Sequence, residues 1–393
     1  MQPDQSRRLF LQFLAASPLF AALPAAARPE LARPESLDQA LNINHLKLLA
    51  QQNLDLDAYH FIVGGSDDMA TTEENEAAFS RIKIRPRRLV DVAEIDTSVR
   101  LFGREYGSPI LLAPAGDQQR IHPDGELVTA SAAAANGHLM IASMMSNYAI
   151  EEITAVAPDT WFQLYPAANR EFMTFLVERA ERAGCETLVL TVDGPTRGNH
   201  EAERWFRRQN KENRDKTAAR RRVRLGNWEG YDGRKGIGDP SFSWDDVKWL
   251  RSTTSMNLVL KGIVTREDAK LCRRAGVDGV IVSNHGGRQE GNGRATADVL
   301  PEVADVLGSR MPVLMDGGIR RGADAYKAIA SGADAVCVGR PYLWGLGAAG
   351  EPGASLALKI LQTEFVRTMQ FAGTTDLGAI RSKSIYRGSS FTG

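Results

Sequence analysis

The sequence predicts a (β/α)8 barrel carrying an N-terminal helical cap and a long insertion after its fourth strand. Three observations predict it. From residue 108 onward a short apolar strand signal alternates with an amphipathic helix signal until eight strands have been used. Helical stretches stop on glycine just before the next strand, as Gly184, Gly276 and Gly332 do. Glycine and arginine cluster after the seventh and eighth strands, where this fold keeps its phosphate site, and no GxGxxG follows the first strand, where an open doubly wound sheet would place one.

The strands fall at Pro109–Ala113, His138–Ala142, Trp161–Leu164, Thr187–Val192, Asn257–Leu260, Gly279–Ser283, Pro312–Met315 and Ala335–Val338, with helices such as Arg170–Ala183, Arg266–Ala275 and Gly322–Ser331 between them. Residues 28–107 precede the repeat and read as a cap, mostly helical from residue 37 and ending in the basic stretch Arg81–Arg88. Residues 108–393 form the barrel, closed by a helix over 353–372. The excursion at 194–243 is far longer than an ordinary connection and reads as a lid or docking surface.

Composition narrows the classes further. The 393 residues are 43% hydrophobic, enough for a large core, which excludes a disordered chain. Forty-eight basic residues balance forty-eight acidic ones, so no global field draws the chain to nucleic acid. Past residue 30 no apolar run reaches the ~20 residues that span a bilayer. Residues 1–27 read as a twin-arginine export signal: Ser6, Arg7, Arg8, Leu9, Phe10 and Leu11 open an apolar stretch ending in the small residues Ala25, Ala26 and Ala27. Periplasmic localisation is therefore expected, and with it a prosthetic group inserted before export. The three cysteines, Cys185, Cys272 and Cys337, are too few and too scattered for a disulfide or metal pattern and read as buried thiols.

Chemistry in this fold sits at the C-terminal strand ends, and these ends are polar here. Strand three ends in Gln163 and Tyr165, strand four in Thr191 and Asp193, strand five in Lys261, and strand six in Ser283, Asn284, His285 and Arg288. Strand seven gives Asp316, Gly317, Gly318 and Arg320; strand eight gives Gly339 and Arg340. Glycines that open the backbone beside arginines make a phosphate cradle. Lys261, the first residue past an apolar strand, is open to three readings: a Schiff-base nucleophile, a metal-site neighbour or a fixed cation beside an anionic cofactor. The nearby phosphate loops favour the third. His285, flanked by Gly286 and Gly287 and followed by Arg288, suits a base beside an anion clamp.

Taken together, SNHGGRQ at 283–289, DGGIRRG at 316–322, VGRPYLWG at 338–345, FQLY at 162–165, TVDGP at 191–195 and NEAAFSRIKIRPR at 75–87 resemble the FMN-dependent 2-hydroxy acid oxidase and dehydrogenase family. The resemblance implies FMN, with the ring against Pro114, Ala115, Gly116, Ser143, Gln163 and Thr191, Lys261 at its N1 and C2 carbonyl edge, and the phosphate on the glycine and arginine loops. It implies His285 as base, Asp193 as holder of the imidazolium, and Arg288 with Tyr165 as clamp for a substrate carboxylate. Three substrate-side positions depart from the family pattern: Phe61 for a tyrosine, Met145 for a tryptophan or tyrosine, and His200 for an arginine. Phe61 and His200 remove two carboxylate partners, so a larger or less anionic substrate than glycolate or lactate is expected.

The expected activity is FMN-dependent oxidation of an α-hydroxy acid or related α-hydroxy carbonyl compound. Two alternatives are a redox-neutral FMN barrel of the type 2 isopentenyl diphosphate isomerase kind and a flavin-binding protein without hydroxy acid turnover. Oxygen, a quinone and a cytochrome are all open as electron acceptors, and a homo-oligomer is expected. Between residues 204 and 224 ten basic residues stand against two acidic ones. With Trp205, Phe206, Trp228 and Tyr231 nearby, this segment is expected either to be a solvated lid or to dock an acidic protein or anionic membrane surface.

Overall fold

The computed structural model describes residues 33–209, 212, 215, 224–308 and 311–387. The signal-peptide reading over 1–27 and most of the basic run lie outside the described residues.

Three helices open the described chain: α1 (Ile43–Asn53), α2 (Leu56–Val63) and α3 (Ala70–Arg81). Asn42 and Asp55 cap the first two by accepting the N–H groups of His45 and Ala58. On α1 the buried Ile43, Leu46, Leu49 and Ala50 recur at helical spacing and form its core face.

The helical reading of the cap holds only to Arg81. Residues 82–106 are short strands joined by loop instead, and Ile82, Lys83 and Ile84 alternate buried, exposed and half-buried as a strand does. They form β1 (Ile82–Ile84), antiparallel to a short strand at Ile385–Arg387. A tight hairpin follows, β2 (Val99–Leu101) and β3 (Arg104–Tyr106). Its two turn residues, Phe102 and Gly103, both have positive φ (49° and 83°), which matches the twist of paired strands.

The eight repeat strands are β4 (Ile110–Leu112), β5 (Ile141–Ser143), β6 (Trp161–Leu164), β7 (Thr187–Thr191), β8 (Asn257–Ile263), β9 (Gly279–Val282), β10 (Val313–Met315) and β11 (Ala335–Val338). All pair in parallel, in the order β4-β11-β10-β9-β8-β7-β6-β5. A bridge from Leu112 to Met140 brings β4 against the approach to β5 and closes the barrel. Outside lie α4 (Gly125–Ala135), α5 (Ile150–Val156), α6 (Arg170–Arg182), α7 (Glu201–Gln209) within the insertion, α8 (Trp244–Thr253), α9 (Arg266–Arg274), α10 (Thr296–Leu307), α11 (Gly322–Ala330) and α12 (Arg340–Ala372). The closing helix is thus longer than expected, running from Arg340 through a break at Ala349 and Gly350. All three cysteines are buried and free.

Strand periodicity positions the site. Leu111, Ile141, Trp161, Val189, Val259, Ile281, Leu314 and Cys337 form one inner cluster, and Val99 and Leu101 of the hairpin join it from below. Their strand neighbours, such as Leu188, Leu190, Leu258 and Leu260, join the larger cluster under the helices. Two residues further along each strand the same inward face carries Ala113, Ser143, Gln163, Thr191, Lys261, Ser283, Asp316 and Gly339. The barrel interior is therefore apolar at its base and polar at its mouth.

Candidate active site

A cavity of about 550 Å³ opens at that mouth. Its walls include Pro114, Ala115, Gly116, Ser143, Thr191, Lys261, Asp316, Gly317, Gly318, Arg320, Gly339 and Arg340, together with Phe61, Met145, Tyr165, His200, His285 and Arg288. Gln163, Asp193 and Ser283 stand behind the wall, each bonded to a residue in it. Gln163 accepts from the Ser143 hydroxyl at 2.8 Å and donates to Thr191 at 3.0 Å. Ser283 accepts from Lys261 Nζ at 2.7 Å.

His285 is oriented from both sides. Its Nδ1 lies 2.8 Å from Asp193 Oδ1, and its Nε2 lies 3.3 Å from the Tyr165 hydroxyl. Burial works against the Asp193 charge, but His285 and Lys261 outweigh it and hold the carboxyl below its ordinary range. Burial pushes the Tyr165 phenol up to about 12, so it stays a neutral donor. Lys261 lies within β8, since that strand runs on to Ile263 instead of stopping at Leu260. Burial disfavours its charge, yet Asp316, 3.1 Å away, and Asp193 raise its pKa, so it is a permanent cation.

The opposite end of the cavity is built for an anion. Gly317 and Gly318 have positive φ in succession (102° and 76°), and a Cβ on Gly318 would fall 1.9 Å from the Asn75 carbonyl oxygen. Arg340 donates only to backbone carbonyls, those of Ile62, Gly286 and Gly64. Burial, and then the neighbouring Arg320 and Arg288, push it down to about 9, the condition of a guanidinium lacking its counter-charge. Arg320 pairs with Glu76 at 2.8 Å but keeps a buried Nε without a partner. A phosphate beside these groups would answer both observations, so the residues present fit a flavin mononucleotide.

Sequence reasoning missed a second cluster, beside Arg288. This arginine donates to the carbonyls of Phe61 and Gly64, both at 2.8 Å, and lies 3.3 Å from Glu203 of α7. Arg120 donates to Asp57 and reaches Glu203 at 3.5 Å. The Phe61 ring centroid lies 4.7 Å from the Arg120 guanidinium and 5.4 Å from that of Arg288. His200 is not loose in the pocket, because its Nε2 donates to the Arg288 carbonyl at 2.8 Å. The one available signal was His200 and Glu203 three residues apart in the lid excursion, a spacing that brings side chains together if that stretch is helical.

The aromatic residues of the insertion are mostly structural. Phe206 is buried against His60, and Trp228 and Tyr231 pack on Phe172, so of the four named for docking only Trp205 is exposed. The basic residues between Asn210 and Val223 lie outside the described residues.

A parallel barrel with an anion cradle, a buried lysine and a histidine–aspartate pair at its mouth defines a flavin-binding oxidoreductase class. The model of the FMN-dependent dehydrogenase family matches residues 50–387, and the chain belongs to that family. It is 44% identical over 352 residues to the peroxisomal (S)-2-hydroxyacid oxidase GLO3 of Arabidopsis thaliana, covering 86% of this chain and 94% of that one. It is 39% identical over 364 residues to glycolate oxidase 1 of Zea mays, covering 89% and 96%. A mandelate oxidase solved with (S)-2-phenylpropionate superimposes with a TM-score of 0.80 at 35% identity, covering 88% of this chain and 98% of that one. The protein is thus an FMN-dependent oxidoreductase.

Proposed function

We propose that the chain oxidises an α-hydroxy acid, or a related α-hydroxy carbonyl compound, to its 2-oxo product, with His285 as base. The observation that carries this reading is the 2.8 Å pair of His285 and Asp193 in a cavity that also presents Arg288 and Lys261. With Nδ1 directed at the Asp193 carboxylate, Nε2 is the ring atom left to receive a proton, and the carboxylate stabilises the imidazolium that results. Arg288 anchors the substrate's carboxyl or carbonyl oxygen, and Tyr165 donates from the same side. Pro114, Ala115, Gly116, Ser143, Gln163 and Thr191 would hold the flavin ring, and Gly317, Gly318, Arg320, Gly339 and Arg340 its phosphate. Bound there, FMN supplies the two-electron acceptor of the oxidation.

Relatives support the substrate class. Variants of mandelate oxidase are described with (S)-mandelic acid and with 2-hydroxy-phenylacetamide, an acid and an amide. Anaerobic addition of hydroxy acids, esters and ketones to the yellow protein tests the reading. Bleaching by at least one is the expected result, and a flavin that no member reduces refutes it.

Oxygen is the proposed first acceptor, because the curated relatives are named oxidases; failure to consume oxygen while reducing a quinone or cytochrome would replace it. Export to the periplasm is proposed from the motif at Ser6–Leu11, although two of the relatives are named peroxisomal. Replacing Arg7 and Arg8 by lysine should trap the protein in the cytoplasm. The basic run over 204–224 is proposed as a docking surface, so turnover with a protein acceptor should fall with salt while turnover with a neutral dye should not.

A further inference from the structure

We infer that Glu203 is a specificity-determining residue: a carboxylate built beside the pocket that shares Arg288 with the substrate, lowering affinity for fully anionic ligands relative to uncharged carbonyl ones. This rests on the reading of Arg288 as the substrate anchor.

Donor arithmetic comes first. A guanidinium has five N–H groups. Two Arg288 bonds from Nη1 go to the carbonyls of Phe61 and Gly64, and Nη2 faces Glu203 Oε1 at 3.3 Å. At most two donors, Nε–H and one on Nη2, remain for a ligand. An incoming carboxylate would meet them beside a carboxylate already in place, and two anions on one guanidinium repel each other. A ketone, ester or amide carbonyl accepts the same two donors without that repulsion.

Glu203 cannot swing away cheaply. Its side chain is 5% exposed, with Arg120 at 3.5 Å on Oε2 and His200 Nδ1 at 3.4 Å on Oε1. Arg120 is itself gripped by both oxygens of Asp57, at 2.8 and 2.7 Å. Burial opposes the Glu203 charge, but His200, Arg288 and Arg120 overcome it and hold the carboxyl down at about 2, so the charge persists across physiological pH.

Arg120 does not offset this for a ligand. It is not among the residues lining the cavity, and it is itself paired with Asp57. Arg197 and Lys261 also line the cavity, but the cation assigned to the substrate, Arg288, already has a partner in Glu203.

The test uses the flavin-loaded full chain and two non-oxidisable probes, pyruvate and methyl pyruvate, titrated by perturbation of flavin absorbance. Glu203→Gln should tighten pyruvate about tenfold and leave the ester within about twofold. Glu203→Asp, which keeps the charge but withdraws it by one methylene, should fall between parent and Gln, and it carries the test alone if the Gln variant does not fold. In turnover, KM for mandelate should fall with little change in kcat, while methyl mandelate is unaffected. A parallel change for acid and ester, weaker pyruvate binding, or no pyruvate binding to the variants overturns the inference. The binding split without any flavin reduction would refute the proposed function alone; reduction without the split would refute this inference alone.

Discussion

The Nδ1 of His285 lies 2.8 Å from Oδ1 of Asp193, although 92 residues separate them in the chain. They follow strands that flank a common neighbour, Asp193 two residues past the end of β7 and His285 three past the end of β9, with β8 between. Gly262 of that middle strand makes the room. At φ +112° its backbone bulges, and a Cβ there would fall 2.7 Å from the Asp193 Cβ. His285→Gln should keep flavin bound and slow its reduction by ~10² to 10⁴, the usual loss for a general base. Asp193→Asn should do the same more mildly; stopped-flow reduction within tenfold of the parent for the His285 variant would reject the assignment.

Arg340→Ala should release flavin. Its guanidinium is buried against carbonyls alone and repelled by two other arginines, so the phosphate it would meet has few substitutes. Gel filtration followed by the ratio of flavin to protein absorbance measures the loss. The same experiment on the parent should recover FMN, and recovery of FAD or NAD would contradict the cradle.

His200→Arg should improve oxidation of small hydroxy acids such as glycolate or L-lactate, further so with Phe61→Tyr. An arginine at 200, where the imidazole Nδ1 now lies 3.4 Å from Glu203, would offer that carboxylate a permanent cation and leave Arg288 freer for the substrate. Steady-state kcat/KM should rise for the acids. An unchanged value would show that the departures at these positions do not limit binding.

What the sequence made legible followed from a period of two. Every barrel strand was readable because its apolar run was short and bounded, and the polar residue ending each run sat on the inward face by parity. Lys261, Asp193 and His285 were found in that way. Arg120, Asp57 and Glu203 were not, since each reads alone as a solvated helix or loop charge and the arginine–carboxylate pairs that join them span at least 63 residues. The hairpin β2–β3 escaped for a different reason: its turn is Phe-Gly, not the Asn-Gly that signals such a turn. The strand β1 escaped because its partner lies at the far end of the chain.

Glu126 makes stability depend on pH in an unusual direction. It is fully buried, with Oε1 accepting from the Gln118 N–H and Oε2 unpaired, and burial pushes its carboxyl up to about 7. A folded-state pKa above the unfolded one gives a contribution that is complete below the ordinary value of 4.5 and lost as pH rises through about 7. The loss is on the order of 3 kcal/mol. Glu126→Gln should therefore melt higher than the parent at pH 8 and close to it at pH 4.5; equal differences at both would refute the shift.

The hairpin that fills the foot of the barrel makes the enzyme a vessel with one door. Val99 and Leu101 rise into the apolar base, and Phe102 packs on Trp161 with ring centroids 5.5 Å apart, so the lower end is stoppered by side chains. Reactant and product are then expected to enter and leave by the mouth. A 2-oxo product that lingers there should delay reoxidation and compete with the acceptor as well as with fresh substrate. The order of arrivals and departures is thereby set by a turn of two residues on the far side of the molecule from any chemistry.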